Sequence, residues 1–137
     1  FIEFISRREN DGVLVTVPTI NPGFSFVELK DDMSTVTRTK EKEVVSSFGN
    51  TGCYYFKKTS EFEIYTNKMI DKNIRINKEF YISKIYNVYL LDNKKILHYP
   101  IVEIFSINTP EELSENRKKI SVFLKNKWSK FLMKNIS

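Results

Sequence analysis

Asn10-Asp11-Gly12-Val13-Leu14-Val15-Thr16-Val17-Pro18 is the stretch whose reading decides the fold. Asn-Asp-Gly is a strong turn signal. The five residues after it are β-branched and almost wholly apolar, as expected of a strand covered on both faces. Upstream, Phe1 to Glu9 places apolar residues at 1, 2, 4 and 5 and then turns charged, which fits the end of a helix. Downstream, Pro18, Asn21, Pro22 and Gly23 break the chain into a loop.

Further along, Ser25 to Lys30 alternates around Phe26, Val27 and Leu29, Asp31-Asp32 turns, and Thr35 to Thr39 forms a second short strand, so the pair reads as a hairpin. A polar stretch runs from Glu41 to Asn50, and Thr51 to Phe56 is a further apolar strand. Thr59 or Ser60 caps a helix that carries Phe62, Tyr65, Met69 and Ile70 on its apolar face. Glu79 to Leu91 reads as a second helix, then Lys95 to Tyr99 and Ile101 to Phe105 as extended segments around Pro100. Thr109-Pro110-Glu111-Glu112 opens the last helix, with Thr at the N-cap, Pro at the first position and Glu at the third. Leu113, Ile120, Phe123, Leu124, Trp128, Phe131 and Leu132 lie close to one stripe of it. This order predicts a mixed α/β layer architecture, not a bundle and not a sandwich.

The 137 residues suffice for one domain, and a hydrophobic fraction of 41% with 11 Phe and 7 Tyr suffices for a packed core. Phe1 stands where a start methionine would be, so the chain reads as cut from something longer. The net charge of +5 is unevenly placed: residues 114–137 hold seven basic residues and one acidic, and the remainder holds 15 basic against 16 acidic. The basic character therefore belongs to a C-terminal amphipathic helix, and the division expected is 1–113 as body and 114–137 as helix. Aromatic residues do not interleave with the basic ones on one face, which argues against a nucleic-acid partner. No apolar run reaches the ~18–20 residues that span a bilayer. Cys53, alone, reads as a small buried thiol in a strand and suits a reducing cytoplasm. His98, the single histidine, reads as half-buried near a sheet edge. There is no phosphate loop, no GxGxxG and no cysteine-histidine metal spacing.

Four short motifs occur in order: Glu41-Lys42 after the hairpin; Asn50-Thr51-Gly52-Cys53-Tyr54-Tyr55-Phe56; Asn77-Lys78-Glu79-Phe80-Tyr81-Ile82; and Phe105-Ser106-Ile107-Asn108-Thr109-Pro110-Glu111-Glu112-Leu113. Together they resemble the second half of the sugar-phosphate nucleotidyltransferases, the family that includes hexose-1-phosphate pyrophosphorylases. The resemblance implies the C-terminal portion of a Rossmann-like nucleotide-diphospho-sugar transferase fold, a mixed sheet with flanking helices. It implies transfer of a nucleotidyl group from an NTP to a sugar phosphate, with Mg2+, in the nucleotide-sugar supply of a bacterial polysaccharide pathway. On that resemblance Glu41 holds sugar hydroxyls and Lys42 the acceptor phosphate, Thr51-Gly52 turns into the sugar-contacting strand, and Glu79 lies near the sugar. The chemistry suits these types: a carboxylate accepts two hydroxyl hydrogen bonds, an ammonium is a compact phosphate donor, and a glycine admits a ligand to the backbone. Each residue also has a structural reading: solvated charge for Glu41 and Lys42, packing for Gly52, a helix-terminal carboxylate for Glu79.

Two departures stand out. Ser106 occupies the position where the family often has a magnesium-ligating Asp, and Asn108 replaces a glycine. The glycine-rich loop that cradles the triphosphate is missing, so this chain alone is expected not to turn over. The alternative is a non-catalytic relative, or an interaction module using the basic helix. An apolar face left by the missing half favours a homo-oligomer.

Overall fold

The computed structural model describes residues 1–135, with side chains through residue 127. They form two compact units, Phe1–Glu103 and one that begins at Ile104. The first contains helix α1 (Ile2–Arg7), strands β1 (Gly12–Pro18), β2 (Ser25–Leu29), β3 (Val36–Glu41) and β4 (Phe48–Phe56), helices α2 (Thr59–Asp71) and α3 (Ile82–Leu91), and strand β5 (Ile96–Pro100). The second contains helix α4 (Pro110–Asn135). The five strands make one mixed sheet, ordered β3-β2-β4-β1-β5. β1 runs antiparallel to β4 and parallel to β5, the parallel return being made through α2 and α3. The α/β architecture is as expected, and β1 is buried from Gly12 to Val17 as its unbroken apolar run requires.

Helix α3 covers the sheet. Its Ile85, Tyr86, Val88 and Tyr89 join Leu14, Val27, Val36 and Ile96 from the strands and Tyr65 and Met69 from α2. Tyr86 stacks on Phe56 at 4.6 Å between centroids, and its hydroxyl donates to the Tyr55 carbonyl at 3.0 Å. Gly12 is required where it stands, because a Cβ there would lie 2.9 Å from the Tyr86 ring and 3.0 Å from the Tyr55 carbonyl oxygen.

Several local expectations are corrected. Cys53 is exposed, not buried. Leu14 pairs with Tyr54 but Thr16 with Asn50, so Thr51, Gly52 and Cys53 bulge out opposite Val15. Gly52 makes the bulge with φ +83°, and the Thr51 hydroxyl pins it by donating to the Val15 carbonyl at 2.9 Å. β4 begins at Phe48, inside the stretch read as polar loop, because Asn50 is buried within the strand. The N-cap of α2 is Lys58, without a side-chain cap, and not Thr59 or Ser60. α3 starts at Ile82, three residues later than read. Asn77 and Lys78 both take positive φ, and Ile76 and Glu79 exchange backbone hydrogen bonds at 3.0 and 2.9 Å, a tight two-residue hairpin turn. Residues 101–105 form no strand; after Ile101 donates to the Thr16 carbonyl no ladder continues. In α4 the Thr109 hydroxyl does cap the Glu112 amide, at 3.2 Å. Phe105 packs edge-on against Phe123 at 5.9 Å. The side chains of Trp128, Lys130, Phe131, Leu132 and Lys134, part of the stripe and charge read above, lie outside the described residues.

His98 lies on edge strand β5, but it is buried, not half-buried. Its Nε2 stands 2.8 Å from the Met33 carbonyl, which only accepts, so Nε2 carries the proton and Nδ1 accepts from the Thr16 hydroxyl at 3.1 Å. Burial pushes its pKa below the ordinary 6.5, the Met33 carbonyl and Asp32 opposing. The unfolded chain then binds a proton on His98 more readily than the folded one, so stability is full above pH 6.5 and falls as pH drops below it. Thermal melts between pH 7.5 and 5.5 should show that fall, and a His98→Gln variant should flatten it; parallel curves would remove His98 as the cause. The bulge gives a second expectation. Cys53 should react fully with a thiol reagent in native buffer, while Gly52→Ala, with nothing within 4 Å of the added Cβ, should cost about 1 kcal/mol through its positive φ alone in denaturant titration.

Candidate functional site

Strand β3 ends at Glu41, and the chain leaves it at Lys42 with φ 54°. Directly across lies the beginning of α3, and the two segments meet residue by residue. The Ser83 hydroxyl donates to Glu41 Oε2 at 2.9 Å. Lys42 Nζ donates to the Tyr81 hydroxyl at 3.1 Å and lies 5.4 Å from the centre of that ring. Tyr81 in turn donates to Glu79 Oε2 at 2.6 Å. Three of the residues singled out in the sequence, Glu41, Lys42 and Glu79, are thereby brought together, with Tyr81 and Ser83 as the links. Neither link was picked out from the sequence. Tyr81 sits one residue before the helix and Ser83 in its first turn, and only the pairing with β3 gives them a role.

The electrostatics follow the geometry. The hydrogen bond to Tyr81, reinforced by the charges of Glu79 and Glu41, holds the Lys42 ammonium above its ordinary range, so it stays charged at neutral pH. Glu41 Oε1 accepts no hydrogen bond among the described residues, which leaves it available to a hydroxyl ligand. Glu79 is outside the helix, so its carboxylate serves Tyr81 and not the dipole of α3.

Thr51 and Gly52 are not joined to this cluster by any contact among the described residues; they lie on β4, with β2 between, where Ser25 pairs with Glu41 and Phe26 with Gly49. Tyr54 spans the gap. Burial pushes its hydroxyl up to about 12; the Glu41 charge acts the same way, and Asn50 and Ser25 oppose it. The phenol therefore remains a neutral donor. Asn50 is the residue the sequence reading missed. Its Oδ1 accepts from the Gly52 amide at 3.1 Å, which shapes the bulge, while its Nδ2 is buried without a well-formed hydrogen bond. That nitrogen acts on the Tyr54 hydroxyl and has no exposed surface to offer a ligand. The sequence places Asn50 at the end of a polar stretch, so nothing marked it before β4 was seen to start at Phe48. A groove of about 400 Å³ lined by Tyr54, Tyr55, Phe56, Thr59, Phe62 and Ile82 adjoins the site through Tyr54.

The second unit gives no cation site at Ser106. The Ser106 hydroxyl donates to Glu112 Oε2 at 2.7 Å, and the same oxygen accepts from the Asn108 amide at 2.8 Å. These hydrogen bonds hold the Glu112 carboxyl below its ordinary range as a helix-start acceptor. Among the described residues no group of three His, Cys, Asp or Glu could hold a metal ion. The donor set at Ser106 does not fit magnesium, since a hard cation takes several oxygen ligands and Glu112 is the one carboxylate hydrogen-bonded to Ser106 among the described residues.

No family model and no curated protein matches this sequence. Solved structures do. A nucleoside-diphosphate-sugar pyrophosphorylase from Vibrio cholerae RC9 superposes with TM-score 0.72 and 22% identity over 77% of this chain and 46% of its own. A protein described as a glucose-1-phosphate thymidylyltransferase from Bacillus anthracis, with sucrose bound, gives TM-score 0.60 and 18% identity over 83% of this chain and 45% of its own. The chain thus spans less than half the length of these structures. It carries part of a nucleotidyltransferase-like α/β fold.

Proposed function

We propose that this chain is the acceptor half, the C-terminal one, of a sugar-phosphate nucleotidyltransferase-like domain. The observation that carries the reading is the seam between the end of β3 and the start of α3, where Glu41, Lys42 and Glu79 are held in one cluster by Ser83 and Tyr81. Glu41 Oε1 would accept sugar hydroxyls, and Lys42 would carry the phosphate. Gly52 leaves open backbone at the β4 bulge, since nothing lies within 4 Å of where its Cβ would be. Thr51 supports that backbone from below and need not touch ligand. The neighbouring structures are a sugar-nucleotide pyrophosphorylase and a thymidylyltransferase, which favours the same substrate class.

In the intact domain a triphosphate would be bound by the part not represented here, and a divalent cation would neutralise its charge. This chain's own share is to bind and orient the acceptor. Its residues at Ser106 would not supply the metal's ligands. Sugar-nucleotide synthesis fits a cytoplasmic setting, where triphosphates are available, and no helix among the described residues is long and apolar enough to cross a membrane.

The reading is tested by titrating glucose 1-phosphate into the chain by calorimetry or NMR. Glu41→Gln and Lys42→Met should each weaken binding at least tenfold, about 1.4 kcal/mol, and leave the melting temperature within a few degrees. Variants that bind as the parent does would sink it. Pyrophosphate release is not expected from the 137-residue chain with any triphosphate.

A further inference from the structure

Lys84 follows directly after Ser83 and is 8% exposed. Its ammonium makes a single hydrogen bond, to the Thr39 carbonyl at 3.5 Å, and no ion pair among the described residues. That carbonyl is already satisfied by Asn87 Nδ2 at 3.0 Å. The neighbouring cations are all engaged: Lys40 pairs with Glu43 at 3.0 Å, Arg38 Nε with Glu28 at 3.1 Å, and Lys42 with Tyr81. Glu41, the acid whose charge most supports Lys84, is held by Ser83. Burial weakens the hold of Lys84 on its proton, and Glu41 only partly offsets this. A nearly buried ammonium with one long hydrogen bond is expensive unless something else completes its shell.

The order of contacts says what could complete it. Tyr81, Ser83 and Lys84 meet Lys42, Glu41 and Thr39 in turn, and the Glu41 charge acts on both ammonium groups. A carboxylate that accepts hydroxyls, with two cations near it, matches a polyol bearing an anionic group. Lysine is a strongly hydrated point charge suited to phosphate. We propose that Lys84 is a second ligand for the phosphate monoester of the acceptor. The proposal rests on the acceptor reading above for the identity of the sugar, and on the orphaned ammonium for the anion.

The experiment uses Lys84→Met, which keeps the stem and removes the charge. Its melting temperature should equal or exceed the parent's. Glucose 1-phosphate should bind at least tenfold more weakly and glucose unchanged. Inorganic phosphate should shift the Thr39, Ser83 and Lys84 amide resonances of the parent chain but not of the variant. The parent-chain titration alone decides the matter if the variant does not fold: no shift at those three amides overturns the proposal. A variant that binds glucose 1-phosphate and phosphate as the parent does also overturns it, and leaves the acceptor reading standing. Phosphate bound through Lys84 by a chain that binds neither glucose nor glucose 1-phosphate would uphold the anion site and overturn the acceptor reading instead.

Discussion

The candidate site depends on one side chain that closes a strand edge. Asn87 of α3 accepts from the Thr39 amide with Oδ1 at 2.7 Å and donates to the Thr39 carbonyl with Nδ2 at 3.0 Å. Thr39 belongs to β3, the outermost strand of the sheet, whose outer backbone groups have no neighbouring strand. The amide therefore stands in for a strand partner, satisfying both groups where either alone would be left wanting. The Thr39 hydroxyl adds a third bond, to the Ser83 carbonyl at 2.8 Å. This fork fixes the register of α3 on β3. Because side chains on a helix recur every three or four residues, fixing Asn87 also fixes Ser83 and Lys84 one turn earlier. Glu41 and Lys42 meet their partners as a consequence of that register.

Much of the fold was legible because its signals are local or periodic. The β-branched run of β1, the hairpin of β2 and β3, the apolar face of α2 and the Thr-Pro-Glu-Glu start of α4 each declare themselves within a few residues. What was misread turns on pairing that no short window contains. Cys53 reads as buried from its aromatic neighbours, but the bulge opposite Val15 turns it outward. Residues 79–81 look helical by composition, and two left-handed residues, Asn77 and Lys78, delay the helix instead. His98 reads as an edge residue. It is on the edge strand, yet Thr35 bridges Leu97 and Ser34 accepts from the His98 amide, so the segment before β3 folds over and buries it.

The site was legible to a different depth. Motifs point to Glu41, Lys42 and Glu79 as types, but the links among them are Tyr81 and Ser83, chosen by register and not by sequence spacing. Asn50 was read at the end of a polar stretch, and only its pairing with Thr16 and the accounting of its buried polar atoms give it a meaning. The same logic separates the two serines that matter. Ser83 spends its hydroxyl on a carboxylate that keeps a free oxygen, so the pair still has capacity for a ligand. Ser106 spends its own on Glu112, whose same oxygen also takes the Asn108 amide at the start of α4, so that pair serves to close a helix.

That contrast bears on how chemistry would be divided in a domain of this fold. A transferase must bind its acceptor and neutralise a triphosphate, and the two tasks use different groups. Here the groups with unspent capacity are a carboxylate oxygen and an ammonium, gathered between β3 and the first turn of α3. They are suited to hydroxyls and to one phosphate. They are unsuited to a hard cation, which needs several anionic oxygens converging on a point. The polarity of the leftover groups, rather than the fold, is what bears on the choice of ligand, since the two neighbouring structures share the fold and are described as enzymes of different specificity.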